Sequence, residues 1–197
     1  MFVIKKITLS QKPDESDPFP KHTPDYPYPE PRLNYLLCFI SIFLTLGSLS
    51  AIQFYVDKTG NGLIVGSFGA SAVLYFASPN VPLAQPKNAI FAQILGAFIG
   101  ISFRNIVTSP DYFWLSIALS VSLTSVLMMI FRIIHPPAGA TALIASSLPV
   151  LPAWNGYIFV FMPVLLGDLF MLAMALLFNN LIKSRHYPDR WLWLDTR

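Results

Sequence analysis

Between residues 36 and 182 the chain carries only seven charged side chains: Asp57, Lys58, Lys87, Arg104, Asp111, Arg132 and Asp168. They divide it into long apolar runs. Residues 36–56 hold 21 positions without a charge, 88–103 hold 16, 112–131 hold 20, and 155–182 hold 28 with Asp168 alone inside. A helix crosses a bilayer core with about 20 apolar residues, so these runs predict membrane-spanning helices. Composition agrees: the chain is 54% hydrophobic and 12% charged, whereas soluble domains average about 25% charged. A soluble fold of 197 residues would have too little polar surface to cover itself. A net charge of +3, set mostly by the two ends, gives no footprint for nucleic acid. One cysteine, Cys38, excludes an intrachain disulfide framework. The expected class is an all-α membrane protein whose partners begin with the lipid bilayer.

Three regions are expected. Residues 1–32 form a proline-rich tail, with prolines at 13, 18, 20, 24, 27, 29 and 31. Proline fixes φ and removes a donor, so this stretch predicts extended, polyproline-like chain. It has neither the apolar core of a signal peptide nor the acid-poor composition of a transit peptide. It reads as a tail over the membrane face, with a partner-binding or pore-plugging role as the alternative. Residues 33–184 form the transmembrane domain, and 185–197 a short basic tail.

Two further apolar stretches, 66–77 and 138–148, align 70 residues apart. Gly69 matches Gly139, Ala70 matches Ala140, Ser71 faces Thr141, and Ala72 matches Ala142. Outside them Pro79 matches Pro149, Pro82 matches Pro152, and Phe91 matches Phe161. Each half therefore reads as long helix, short broken helix, proline turn, long helix, an internal repeat of the kind transporters use. At 1.5 Å per residue the short helices span about 16–18 Å, little more than half of a ~30 Å core. Each is re-entrant or crosses partly as extended chain shielded by protein. Broken helices carry free N–H groups and a positive dipole end to membrane depth, which suits an anion.

Lysine and arginine placement weighs the topology. With both termini cytoplasmic, six spans put seven basic residues inside and two outside; four spans with two re-entrant segments give six and three. Six spans make the repeats inverted, and four make them parallel. The expected location is a bacterial inner (plasma) membrane.

The second short helix is preceded by Arg132-Ile-Ile-His135-Pro136-Pro137-Ala-Gly139-Ala-Thr141-Ala-Leu. This resembles the signature of the HPP family of integral membrane proteins. Gly69-Ala-Ser-Ala-Val-Leu and Ala84-Gln85-Pro86-Lys-Asn88 in the first half are similar to that family too, and the resemblance covers about residues 33–182. It implies four spanning helices and a transport role, with nitrite the solute of some plastid and cyanobacterial members. The sequence departs from the family pattern at Gly66-Ser67 and at Gln93, where relatives tend to carry Gly or His.

Read from the residues, Pro136-Pro137 end the preceding helix and start the next at about Ala138. The N–H groups of Ala138, Gly139 and Ala140 then face the break, with Thr141 and Ser71 offering hydroxyls. His135 either donates to an anion or caps a free carbonyl. Arg132 draws an anion inward or snorkels to the headgroups; Arg104 has the same alternatives. Asp168, costly in a membrane span, is a proton-coupling carboxylate or one half of an ion pair with an arginine. The candidate substrate site is Gly66, Ser67, Gly69, Ala70 and Ser71 from the first short helix, with Arg132, His135, Pro136, Pro137, Ala138, Gly139, Ala140 and Thr141 from the second. Gly96 and Gly100 form a small-xxx-small contact within the chain or in a homo-oligomer. Trp114, Trp154, Trp191 and Trp193 read as interfacial anchors. No nucleotide loop, metal cluster or nucleophile–base pair is visible, so neither an enzyme nor a cofactor is expected. The expected function is transport of a small solute, an inorganic anion such as nitrite. The alternatives are a channel for a neutral molecule, or a membrane scaffold or sensor.

Overall fold

The computed structural model describes residues 32–56, 65–181 and 185–189. The proline-rich tail, Lys58, Trp191, Trp193 and most of the basic C-terminal tail lie outside the described residues. Everything regular among the described residues is helical. The order is α1 (Arg32–Val56), α2 (Val65–Ala72) continued by a π-helical turn (Val73–Ala77), α3 (Pro86–Ile106), α4 (Phe113–Ile130), α5 (Pro137–Ser146), and α6 (Leu166–Asn180) entered through a π-helical stretch (Val160–Leu165). Four helical stretches are long and apolar enough to cross a membrane: Asn34–Ile52, Pro86–Ile106, Pro110–Ile130 and Val160–Asn180. Gly66–Ala77 and Pro137–Ser146 are the two short apolar helices.

The run at 155–182 is not one straight helix. Met162 has non-helical φ/ψ (−128°, 113°) before Pro163, and regular α-helix begins only at Leu166. Proline removes the amide that would continue the ladder and crowds the preceding turn. Asp168, expected near the middle of a helix, therefore sits in the first turn of α6.

Hydrogen bonds at its two ends fix the path of α5. At the start of α3, Asn88 Nδ2 donates to the Ile134 carbonyl at 3.2 Å. At the far end of α3, Arg104 Nε donates to the Leu148 carbonyl at 2.9 Å. Residues 134–148 thus travel beside α3 from Asn88 to Arg104. Between those ends Gly96 and Gly100 seat α5. A methyl on Gly96 would strike the Ala138 carbonyl oxygen, and one on Gly100 would meet the Ala142 oxygen and Ala145 Cβ at 2.5 Å. Small residues let helices approach closely where no water drives association. The small-xxx-small motif is thus spent on a contact inside the chain.

The first short helix is seated differently. A Cβ on Gly167 of α6 would lie 2.5 Å from the ring of Phe68, which is buried. The nearest neighbour to a Cβ at Gly66 is Ile144 Cδ1, at 3.9 Å. The start of α2 therefore faces the latter half of α5, and the two short helices run in opposite directions.

Helix α4 ends in a Schellman motif. The amide of Ile133 donates to the Met128 carbonyl (2.9 Å), and that of Arg132 to Met129 (3.2 Å). Arg132 holds the left-handed position at φ 54°, where glycine is usual. The accompanying apolar contact is present, with Met128 and Ile133 in one buried cluster with Ala92 and Ala138.

Candidate functional site

A continuous run of buried hydrogen bonds joins the two short helices. Thr141 on α5 directs its hydroxyl to Gln93 Oε1 on α3. Gln93 Nε2 donates to Ser71 Oγ on α2 at 3.3 Å. Ser71 Oγ lies 3.2 Å from His135 Nε2, and His135 Nδ1 lies 2.8 Å from the Leu83 carbonyl. Ser71, Gln93 and His135 have no exposed surface and Thr141 has 1%.

The chemistry of the partners sets the direction of the run. A carbonyl only accepts, so Nδ1 carries the proton facing Leu83. In the neutral imidazole Nε2 then accepts from the Ser71 hydroxyl, whose oxygen accepts from Gln93; the tautomer is assigned from this network. Every group in the run has a partner of the right kind, which a buried polar cluster in hydrocarbon requires.

Of its two expected roles His135 shows the cap. Its Nδ1 caps a carbonyl from the other half of the chain, and its Nε2 faces the polar core. Its ring also stacks on Tyr75, centroids 6.0 Å apart and planes 22° apart. The proline turn that supplies Leu83 is braced on several sides. Gln85 Nε2 donates to the Pro79 carbonyl (3.0 Å) and the Val81 carbonyl (3.1 Å), and Asn88 Nδ2 to that of Pro82 (2.9 Å). The Tyr187 hydroxyl donates to the Ala84 carbonyl at 2.6 Å.

A second buried polar group adjoins the first. The Tyr75 hydroxyl donates to Asp168 Oδ1 at 2.7 Å, while Asp168 Oδ2 is buried without a hydrogen-bond partner. The candidate Arg104 does not pair with this carboxylate, and buried Arg185 donates to the Phe76 carbonyl (2.8 Å) and to Asn179 Oδ1 (3.3 Å). Arg104 Nε is bound to Leu148, and its guanidinium lies over the Phe113 ring, 4.3 Å from the centroid. Among the described residues the partner of Asp168 is a phenol, so of its two expected roles the ion pair with an arginine is not the one the structure forms.

The remaining candidates divide by depth. Ser67, Pro137 and Ala138 are buried, whereas Gly66, Ala70, Arg132 and Pro136 are exposed. Gly69, Gly139 and Ala140 are partly exposed, and a Cβ on Gly69 or Gly139 would meet nothing within 4 Å. The amides of Ala138 and Gly139, expected free, donate to the His135 carbonyl (2.9 Å) and the Pro136 carbonyl (3.0 Å). Because the start of α2 lies beside the latter half of α5, the two short helices overlap side by side and do not meet at their N-termini. The aligned pair Ser71 and Thr141 meets on the two ends of one amide, that of Gln93. Exposed Arg132 and half-buried Lys87 are electrostatic neighbours at one end of the bundle.

Sequence reasoning missed three features. Gln93, the hub, was visible only as a departure from a family pattern. Tyr75 was read as apolar helix. The buried stripe Ser116, Ser120 and Thr124 on α4 was passed over, although hydroxyls spaced by four in an apolar run mark one helix face. Ser116 Oγ and Thr124 Oγ1 have no hydrogen-bond partner.

Fold and site together define an α-helical integral membrane protein with a polar, hydrogen-bonded centre. Residues 28–188 match the family model for the HPP transmembrane region, and the chain belongs to that family. Two transmembrane proteins of Dictyostelium discoideum are similar to it. One is 44% identical over 130 residues, covering 66% of this chain and 45% of its own length. The other is 43% identical over 154 residues, covering 77% of this chain and 49% of its own length. The chain thus spans about half the length of these relatives. Both come from Dictyostelium, so the bacterial inner membrane expected from the sequence draws no support from them. No solved structure matches.

Proposed function

We propose that this chain moves a small solute across the membrane past the Ser71–Gln93–Thr141–His135 cluster, without chemical conversion. A small inorganic anion such as nitrite is the first solute to test. The observation that carries the reading is the buried run of four polar side chains from three helices and a loop. In a purely structural bundle, hydrocarbon at those positions avoids the cost of burying polar groups. Polar groups kept at membrane depth mark solute paths. The site proposed is this mid-helix cluster, not the helix N-termini.

Six crossings arranged as two inverted halves are part of the proposal. Residues 134–148 keep pace with α3 from Asn88 to Arg104, and the two short helices are antiparallel. Inverted repeats with discontinuous helices hold their solute site at the repeat interface, where Ser71 and Thr141 share Gln93.

One observation favours a neutral solute as the second reading. Among the described residues none of the arginines donates to the cluster: Arg132 is exposed, Arg104 is bound to Leu148, and buried Arg185 donates to the Phe76 carbonyl and to Asn179 Oδ1. Water, ammonia or protonated nitrous acid would suit such a site. The test is purified protein in liposomes, with nitrite uptake and membrane current recorded together. Uptake with current supports the anion, and uptake without current a neutral or proton-paired species. No uptake of any of these solutes sinks the transport reading.

A further inference from the structure

We propose that Asp168 is a proton-binding site, which takes up and releases the proton accompanying the solute; the coupling half of this rests on the transport reading. The carboxyl has no exposed surface. Its Oδ1 is fixed by the Tyr75 hydroxyl at 2.7 Å, and Oδ2 is bare. A carboxylate oxygen in a membrane interior with neither a hydrogen-bond donor nor a cation is costly. Protonation at Oδ2 removes the charge and makes a donor where none stood. A bare carboxylate beside an anion path also repels the anion, and protonation turns that repulsion into attraction. The proton and the anion therefore favour each other's entry.

The location fits a group that changes state during passage. Asp168 lies in the first turn of α6, immediately after the break at Met162 and Pro163. Helix α1, which packs against α6, carries one charge, Arg32 at its first residue, and buried Arg185 of the C-terminal segment donates to the Phe76 carbonyl at 2.8 Å and to Asn179 Oδ1 of α6 at 3.3 Å. Tyr75 faces Asp168 from the π-helical turn after α2, and His135 stacks on the Tyr75 ring. Tyr187 approaches Tyr75 from the C-terminal segment, with ring centroids 6.5 Å apart, and feels the Asp168 charge. Of the cations on α3, Lys87 lies at one end beside Arg132, and Arg104 is bound to Leu148 at the other. The described residues of α2 and α5 carry no charge.

The step balances simply. A hydronium ion on the loading side gives its proton to Asp168 Oδ2, forming one O–H bond and leaving water. On the other side that bond breaks to water as the solute leaves. One proton moves with one monovalent anion, so no net charge crosses.

Two readouts test this on the full chain in liposomes. The first is the pH-dependent carboxylic C=O infrared band, in wild type and in Asp168→Asn, which keeps an acceptor for Tyr75. The second is nitrite transport, as accumulation driven by a pH gradient and as exchange without one. The proposal expects a titrating band lost in Asp168→Asn, shifted in Tyr75→Phe, and exchange retained while accumulation falls to the equilibrium level. A band unchanged in Asp168→Asn, or pH-driven accumulation retained there, overturns it. A titrating Asp168 band without nitrite movement keeps the proton site and overturns the nitrite reading instead.

Discussion

Ser71 Oγ and His135 Nε2 lie 3.2 Å apart across 64 residues of sequence, wholly buried. This contact joins the first short helix to the His-Pro-Pro turn that opens the second. Gln93 extends it to Thr141, so one polar run ties together both halves of the chain.

Loss of His135 is expected to destabilise the chain more than loss of any single apolar contact nearby. His135→Ala leaves the Leu83 carbonyl without the imidazole donor and the Ser71 hydroxyl proton without its acceptor. An orphaned buried group costs about 1–3 kcal/mol. Thermal unfolding in detergent should show a clear drop for His135→Ala. His135→Asn, which offers a donor and an acceptor but a shorter reach, should fall between the two.

Glycine positions should separate sharply. Gly100→Leu forces α5 away from α3, and overpacking of this kind costs about 1–3 kcal/mol or more. Gly139→Ala meets open space and removes a helix-interior glycine, so it should be neutral or stabilising by up to about 1 kcal/mol. Comparing the two melting temperatures checks that the close contact lies at Gly100 rather than in the His-Pro-Pro helix.

Arg132 holds a left-handed backbone position with an exposed side chain. Arg132→Gly should therefore raise stability, since a side chain in that conformation costs about 1–2 kcal/mol. If the arginine only terminates α4, the variant transports normally. Raised stability with lost flux would assign the guanidinium to the solute path.

Topology is open to labelling. Cysteines placed at Lys87 and Arg132, in a background lacking Cys38, should react from the same side of the membrane, and one at Arg104 from the other. Six crossings further require the Lys87 side to be the side of both termini. Reaction of the cysteine at Lys87 from the side opposite the termini would leave four spans.

The membrane class and most helix bounds were legible because charge and hydropathy act locally along the chain. Runs 36–56, 88–103 and 112–131 became α1, α3 and α4 with shifts of a few residues. The break after Phe161 was not, because a proline in a long apolar run marks a kink without saying where regular helix resumes. The motif and the 70-residue alignment single out Ser71, His135 and Thr141, and the structure joins them in one hydrogen-bonded run through Gln93. Their meeting point was misplaced at the helix N-termini. The relative direction of two helices is a tertiary fact, and local turn bonds from Ala138 and Gly139 had already satisfied the amides. Gln93 lacked any local signal beyond being polar in an apolar helix, and only packing shows that it faces both short helices.

The central claim is that solute passes the Gln93 cluster. Nitrite uptake into liposomes holding wild-type protein, Gln93→Leu and Gln93→His tests it most directly, with folding checked by melting temperature. The account predicts wild-type uptake above that of empty liposomes. Gln93→Leu should be at least about tenfold slower, equivalent to about 1.4 kcal/mol on the barrier, and Gln93→His should recover part of the loss. Folded Gln93→Leu protein that transports at the wild-type rate would contradict it.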